Sequence, residues 1–249
     1  MTLLAVERIK LFTTRSPWWC ALITLAVVIG FAAIIAGAAP TGELTDVSLT
    51  QFGYKFGMAV IMVLAALSVT TEYRFSTIRT TFQAVPNRTA ALLAKTGVVA
   101  ILSLVIGEVA AFGAWGLSSV MRPEDLSLNT TAEWINIAGV GVVFALASVV
   151  AVAIGILIRH SAGAISLLLI YNLALEGLIP LIPKIGQDIH KWMPFNVADK
   201  FITGSRSGQL DGPPPSDAVL SPGWALAYFA GFALVMLTIS LVVANKRDA

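Results

Sequence analysis

Charge is scarce in this chain of 249 residues: only 12% are Asp, Glu, Lys or Arg. A water-soluble domain carries about a quarter, so a soluble globular fold is excluded. The net charge of +2 is too small to point to nucleic acid as a partner. Cysteine is almost absent. The one cysteine, Cys20, can make no internal disulfide and reads as a small apolar filler. The two histidines, His160 and His190, stand far apart without the companions of a metal site, so no metal ligand is assigned. Catalytic motifs are missing as well. There is no G-x-x-x-x-G-K-[ST] phosphate loop, no H-E-x-x-H and no G-x-S-x-G. The chain is therefore not expected to be an enzyme, and no catalytic residue is assigned.

What is present is apolar sequence, 57% of the residues. A bilayer span needs about 20 mostly apolar residues. Runs of that kind lie near 18–39, 54–71, 96–120, 134–158, 162–182 and 223–244. The expected fold is an all-α integral membrane protein, one transmembrane domain over 1–249 with six spans. Ala36-Gly37-Ala38 has the look of a signal-cleavage site, but the run before it is longer than a signal core and five more spans follow. The first helix is therefore expected to remain uncleaved.

Lys and Arg set the orientation. With the N-terminus inside, ten of the 16 basic residues face the cytoplasm and six face out. Short loops sharpen the contrast, because 40–53 and 122–133 hold Glu43, Asp46, Glu124, Asp125 and Glu133 against Arg122. Both termini are expected in the cytoplasm. Residues 1–17 read either as an interfacial helix turning at Pro17 into the first span, or as a frayed basic tail. Pro180 and Pro183 break the fifth span. Ile185, Ile189, Trp192 and Met193, then Phe195 to Ile202, predict two short extracellular helices re-entering the outer leaflet. Gly204–Pro222 reads as exposed linker.

The polar stretch from Glu72 to Lys95 interrupts the second and third runs. It is either a solvated loop or a docking surface. On a helix Phe75, Ile78, Phe82 and Val85 share one stripe, flanked by Arg74 and Arg79. Two acids fall within spans, Glu108 and Glu176. An intramembrane charge costs at least about 2.5–3.5 kcal/mol, so each should face protein or water. Glu108 is either a proton or substrate site or a packing residue. Glu176, between Asn172 and Pro180, is either part of a pathway or a cap for the re-entrant helices. Gly53 and Gly57 fit a small-xxx-small packing pattern.

These residues resemble a known family. Glu7-Arg-Ile-Lys10, Thr14–Trp19, Glu72–Arg79 with Pro86-Asn-Arg88 and Ala94-Lys95, and Glu176–Pro180 with Trp192–Phe195 are similar to the membrane subunits of ABC-2 type exporters in their actinobacterial form. Many relatives carry Gly where Ser76 stands. The resemblance implies a permease subunit that forms a translocation pathway and couples to a separate ATPase. The ATPase would hold ATP and Mg, leaving no cofactor in this chain. It implies a second permease, identical or homologous, and a bacterial plasma membrane. It places a coupling helix at Glu72–Pro86, with Glu72, Arg74, Phe75, Ile78, Arg79, Phe82 and Val85 at the ATPase interface. Lipid is the other expected partner. An ion-coupled secondary transporter and a non-transporting membrane sensor or scaffold are the alternatives. Substrate identity has no signature.

Overall fold

A computed structural model describes residues 3–38, 47–85, 87–123, 126–203 and 216–247. Glu43, Asp46, Glu124, Asp125, Pro86 and most of the expected 204–222 linker lie outside the described residues. Among the described residues there is no strand. In chain order the helices are α1 (Leu3–Thr13), α2 (Ser16–Ala38), α3 (Tyr54–Arg74), α4 (Thr77–Ala84), α5 (Arg88–Met121), α6 (Thr131–Ile158), α7 (Ser161–Ile170), α8 (Glu176–Leu178), α9 (Gly186–His190), α10 (Pro194–Thr203) and α11 (Pro222–Arg247). A 3₁₀ turn, Val47–Gln51, precedes α3, and a π turn, Tyr171–Leu175, joins α7 to α8.

Six helical segments are long and apolar enough to cross a membrane: Ser16–Ala38, Val47–Arg74, Arg88–Met121, Thr131–Ile158, Ser161–Leu181 and Pro222–Arg247. The third begins at Arg88 rather than near 96, because polar residues continue it. Asn87 caps it, its side-chain oxygen accepting from the Ala90 amide at 3.0 Å. α6 begins at a capping box in which Thr130 and Glu133 satisfy each other's backbone N–H.

α6 is the central helix, packed against α3, α5 and α11. Its apolar window and that of Val47–Arg74 are 61% buried, against 17–22% for the outer spans. The outer spans present Leu22, Ile34, Leu234 and Val235 to the surroundings. Such a surface is uncompensated in water and suits hydrocarbon. Within the bundle small residues allow close approach. A Cβ on Gly107 would lie 2.7 Å from the Gly141 Cα, so α5 and α6 nearly touch there.

α1, α4 and the ends of α3, α5 and α11 gather at one end of the bundle. Asn245 of α11 reaches Thr89 of α5 there, at 2.9 Å. α10 lies at the opposite end, where Tyr54 and Lys55 at the start of α3 both reach Asp199 of α10. Pro194 opens α10, where its missing N–H leaves no gap. The two short helices α9 and α10 occupy the stretch where apolar residues recur before 203.

Candidate functional site

The expected docking stripe does not form one continuous face. α3 ends at Arg74, and Ser76 takes a left-handed backbone, φ 59°. A non-glycine residue there is unusual, and it turns the chain sharply before α4. Phe75 therefore belongs to the turn, not to α4, and is 68% exposed. Its ring lies 5.5 Å from the Arg74 guanidinium carbon. Ile78 is buried, and Phe82 packs half-buried against the protein's own core. Val85 is half-buried where α4 ends. The apolar positions of α4 thus hold it to its own bundle. Its outer face carries Arg79 and Gln83, with Arg74, Phe75 and Ser76 beside it.

Glu72 points into the protein as well. Its carboxylate is 12% exposed and accepts from Lys95 at 2.9 Å and from Lys10 at 3.4 Å. Lys95 also pairs with Glu7, and Lys10 pairs with Glu7 at 2.9 Å. Two acids and two lysines so form a neutral cluster joining α1, α3 and α5. Lys10 extends it to α4 through the Thr81 hydroxyl, 3.1 Å away. Burial pushes the Glu7 carboxyl up, but the nearby Lys95 ammonium, aided by Lys10, outweighs it and leaves the pKa lowered. Burial likewise opposes the charge on Lys10, and Glu7 and Glu72 outweigh it, so its pKa is raised. The charged forms are the stable ones here.

Glu7, Lys10 and Lys95 were not among the sequence candidates. Lys10 and Lys95 count among the basic residues that set the orientation, and Glu7 lies on the charged side of the N-terminal segment. The available signal was that Glu7 and Glu72 are rare acids in two otherwise basic segments.

The intramembrane candidates fall in separate places. Glu108 is half-buried, and its side chain lies over Gly141, where an added Cβ would collide with the carboxylate. It faces α6 rather than open surroundings. Glu176 is buried and accepts from the amides of Phe195 (3.1 Å) and Asn196 (2.8 Å). These are orphan donors of the first turn of α10, so Glu176 acts as a cap supplied from another element. Asn172 lies in the π turn, and its buried side-chain nitrogen has no partner among the described residues. Such turns often accompany functional positions.

A second polar network surrounds the cap. Asn196 donates to the Asp217 carboxylate at 2.7 Å and to the His190 carbonyl at 2.8 Å, and Ser216 donates to the Asn196 carbonyl at 2.7 Å. His190 Nδ1 lies 2.8 Å from the same Asp217 oxygen. Among the described residues no group of three or more His, Cys, Asp or Glu could hold a metal ion.

A family model described as ABC-2 family transporter protein matches residues 3–175. The chain belongs to this family. The match includes α1, α4 and all four members of the ionic cluster, and it ends just before Glu176. No curated protein matches the chain. As an ABC-2 family transporter protein with six candidate spans, the chain is a multi-pass membrane component with a permease role.

Proposed function

We propose that this chain is the permease subunit of an ATP-driven exporter in a bacterial plasma membrane. Both termini and α4 lie on the cytoplasmic side, as the distribution of Lys and Arg favours. A separate ABC ATPase, holding ATP and Mg, docks on the outer face of α4 and its preceding turn. A second permease, identical or homologous, completes the pathway.

The observation that carries this reading is the attachment of α4. Its inner face is anchored by Ile78 and Phe82, while Phe75, Arg74 and Arg79 remain exposed beside it. Through Thr81, Lys10 ties α4 to the cluster that joins α1, α3 and α5. A push on α4 is delivered to three helices at once. Packed elements of this kind shift as units rather than deform.

Phe75 is the anchor offered to the partner, and an aromatic interface anchor commonly costs about 2 kcal/mol or more when truncated. Tagged chain is captured from native membranes in detergent, and the co-purified ATPase is quantified. Phe75→Ala should lower recovery of the ATPase by roughly thirty-fold while leaving insertion intact. Arg79→Glu should weaken it less, because an exposed charge is screened. Full recovery of the ATPase and full coupled hydrolysis with Phe75→Ala would remove α4 and its turn from the docking surface.

A further inference from the structure

An open cavity of about 750 Å³ lies beside the ionic cluster, walled by α1, α3, α4 and α5. Its apolar part includes Leu64, Leu67 and Val99. Its polar part is unusual in what it offers. Ser68, Thr71, Thr77, Thr80 and Thr81 line it, and each of these hydroxyl protons is already engaged by a backbone carbonyl three to five residues earlier. Ser68 donates to Ala65 at 2.7 Å, Thr71 to Leu67 at 2.6 Å, and Thr80 to Thr77 at 2.7 Å. Thr81 donates to Thr77 at 3.2 Å and Thr77 to Glu72 at 3.4 Å. A hydroxyl has one proton and two lone pairs, so these residues retain acceptor capacity and no donor.

In the charged rim, Lys10 has three N–H donors, and they reach Glu7, Glu72 and Thr81, while Lys95 gives two of its three to Glu7 and Glu72. The Oε2 atom of Glu72, by contrast, is buried without a hydrogen-bond partner among the described residues. Glu72 lines the cavity, and because terminal carboxylate torsions are broad, rotation can present this oxygen to a ligand there while the lysines re-pair with the other. A buried acceptor left without a donor calls for an occupant that supplies one.

We infer that this cavity binds a protonated amine carried on an apolar body, the ammonium at Glu72 and the threonine wall, the apolar part along Leu64, Leu67 and Val99. Two sources share that chemistry: a free amphiphilic amine, or the ammonium headgroup of an aminophospholipid. The site belongs to a single chain; Phe75, the anchor offered to the ATPase, also lines it, so the test uses the chain without the ATPase.

The test uses the purified full-length chain alone in detergent, titrated with dodecylamine, dodecanol and dodecanoate and followed by native mass spectrometry and thermal shift. Dodecylamine should bind about tenfold or more tightly than the alcohol, since a charge-assisted hydrogen bond is the difference between them. Leu67→Trp, which fills the cavity without touching the cluster, should abolish binding. Thr71→Val should weaken it while leaving the melting temperature of the free chain close to that of the parent. Competition by phosphatidylethanolamine and not phosphatidylglycerol assigns the bilayer as the source, and no competition assigns a free amine. Equal binding of dodecanol or dodecanoate, unchanged binding in Leu67→Trp, or no binding of dodecylamine overturns the inference.

Discussion

The two ends of the bundle both bury carboxylates, but they satisfy them in different ways. At the α4 end Glu7 and Glu72 are met by the ammonium groups of Lys10 and Lys95, the four residues coming from three helices. At the α10 end Glu176 is met mainly by backbone amides at a helix start, and Asp199 by the Tyr54 hydroxyl and Lys55. Backbone donors are fixed by the helix that carries them. Ammonium groups on long side chains can exchange partners while remaining paired. The first arrangement makes a joint and the second a clamp. The joint is the end to which a coupling partner would attach.

The largest effect that separates them should come from Lys95→Met. It leaves two buried acids sharing only the half-exposed Lys10. Breaking a buried pair from one side costs about 3–5 kcal/mol, so thermal unfolding in detergent should show a large loss. A small loss would mean that water reaches the cluster and that it is no buried joint. Glu176→Ala should cost about 1–3 kcal/mol by leaving two donors unmet. The loss should be local, with faster hydrogen exchange at the Phe195 and Asn196 amides and no change at α1. Glu176→Gln, which keeps an accepting oxygen, should lose less. If exchange rises equally at both ends, the ends are not independent units.

Acid should act on the joint with a definite sign. The Glu7 carboxyl is lowered below its ordinary value of 4.5, so its contribution is complete above that value. It is lost as the pH falls through the lowered folded value. Limited proteolysis should therefore release α1 only in strong acid, with no change between neutrality and about pH 5. Release near pH 6 would show that Glu7 is not held by Lys95. The smallest effect is expected from Lys55→Ala, whose side chain is half-exposed. Surface pairs contribute about 0–1 kcal/mol. Asp199→Ala, which strips the buried Tyr54 hydroxyl of its acceptor, should exceed it clearly.

Sequence legibility followed the same division. The six apolar runs are visible because a bilayer demands long uninterrupted stretches, and those stretches became the candidate spans. The helix that carries the 96–120 run starts earlier than the run itself, because Arg88 and Lys95 interrupt the apolar pattern without ending the helix. In the structure the helix continues through them, capped by Asn87. The stripe from Phe75 to Val85 assumed one helical phase. The left-handed Ser76 breaks that phase, and periodicity has no sensitivity to a single backbone angle. Sequence separation hid the cluster most completely. Glu7 and Lys95 stand 88 residues apart, and Lys10 and Glu72 stand 62 apart.

The sequence by itself determined that this chain belongs in a bilayer, that six segments can cross it, and that a polar segment hangs between the second and third. Those properties depend on composition and on local period, which each segment carries alone. Only the tertiary structure decided which charges face inward, which side of α4 is free, and where a cavity remains. Those depend on contacts between distant segments, where the cost of burying an ion is met only by a partner brought close through folding.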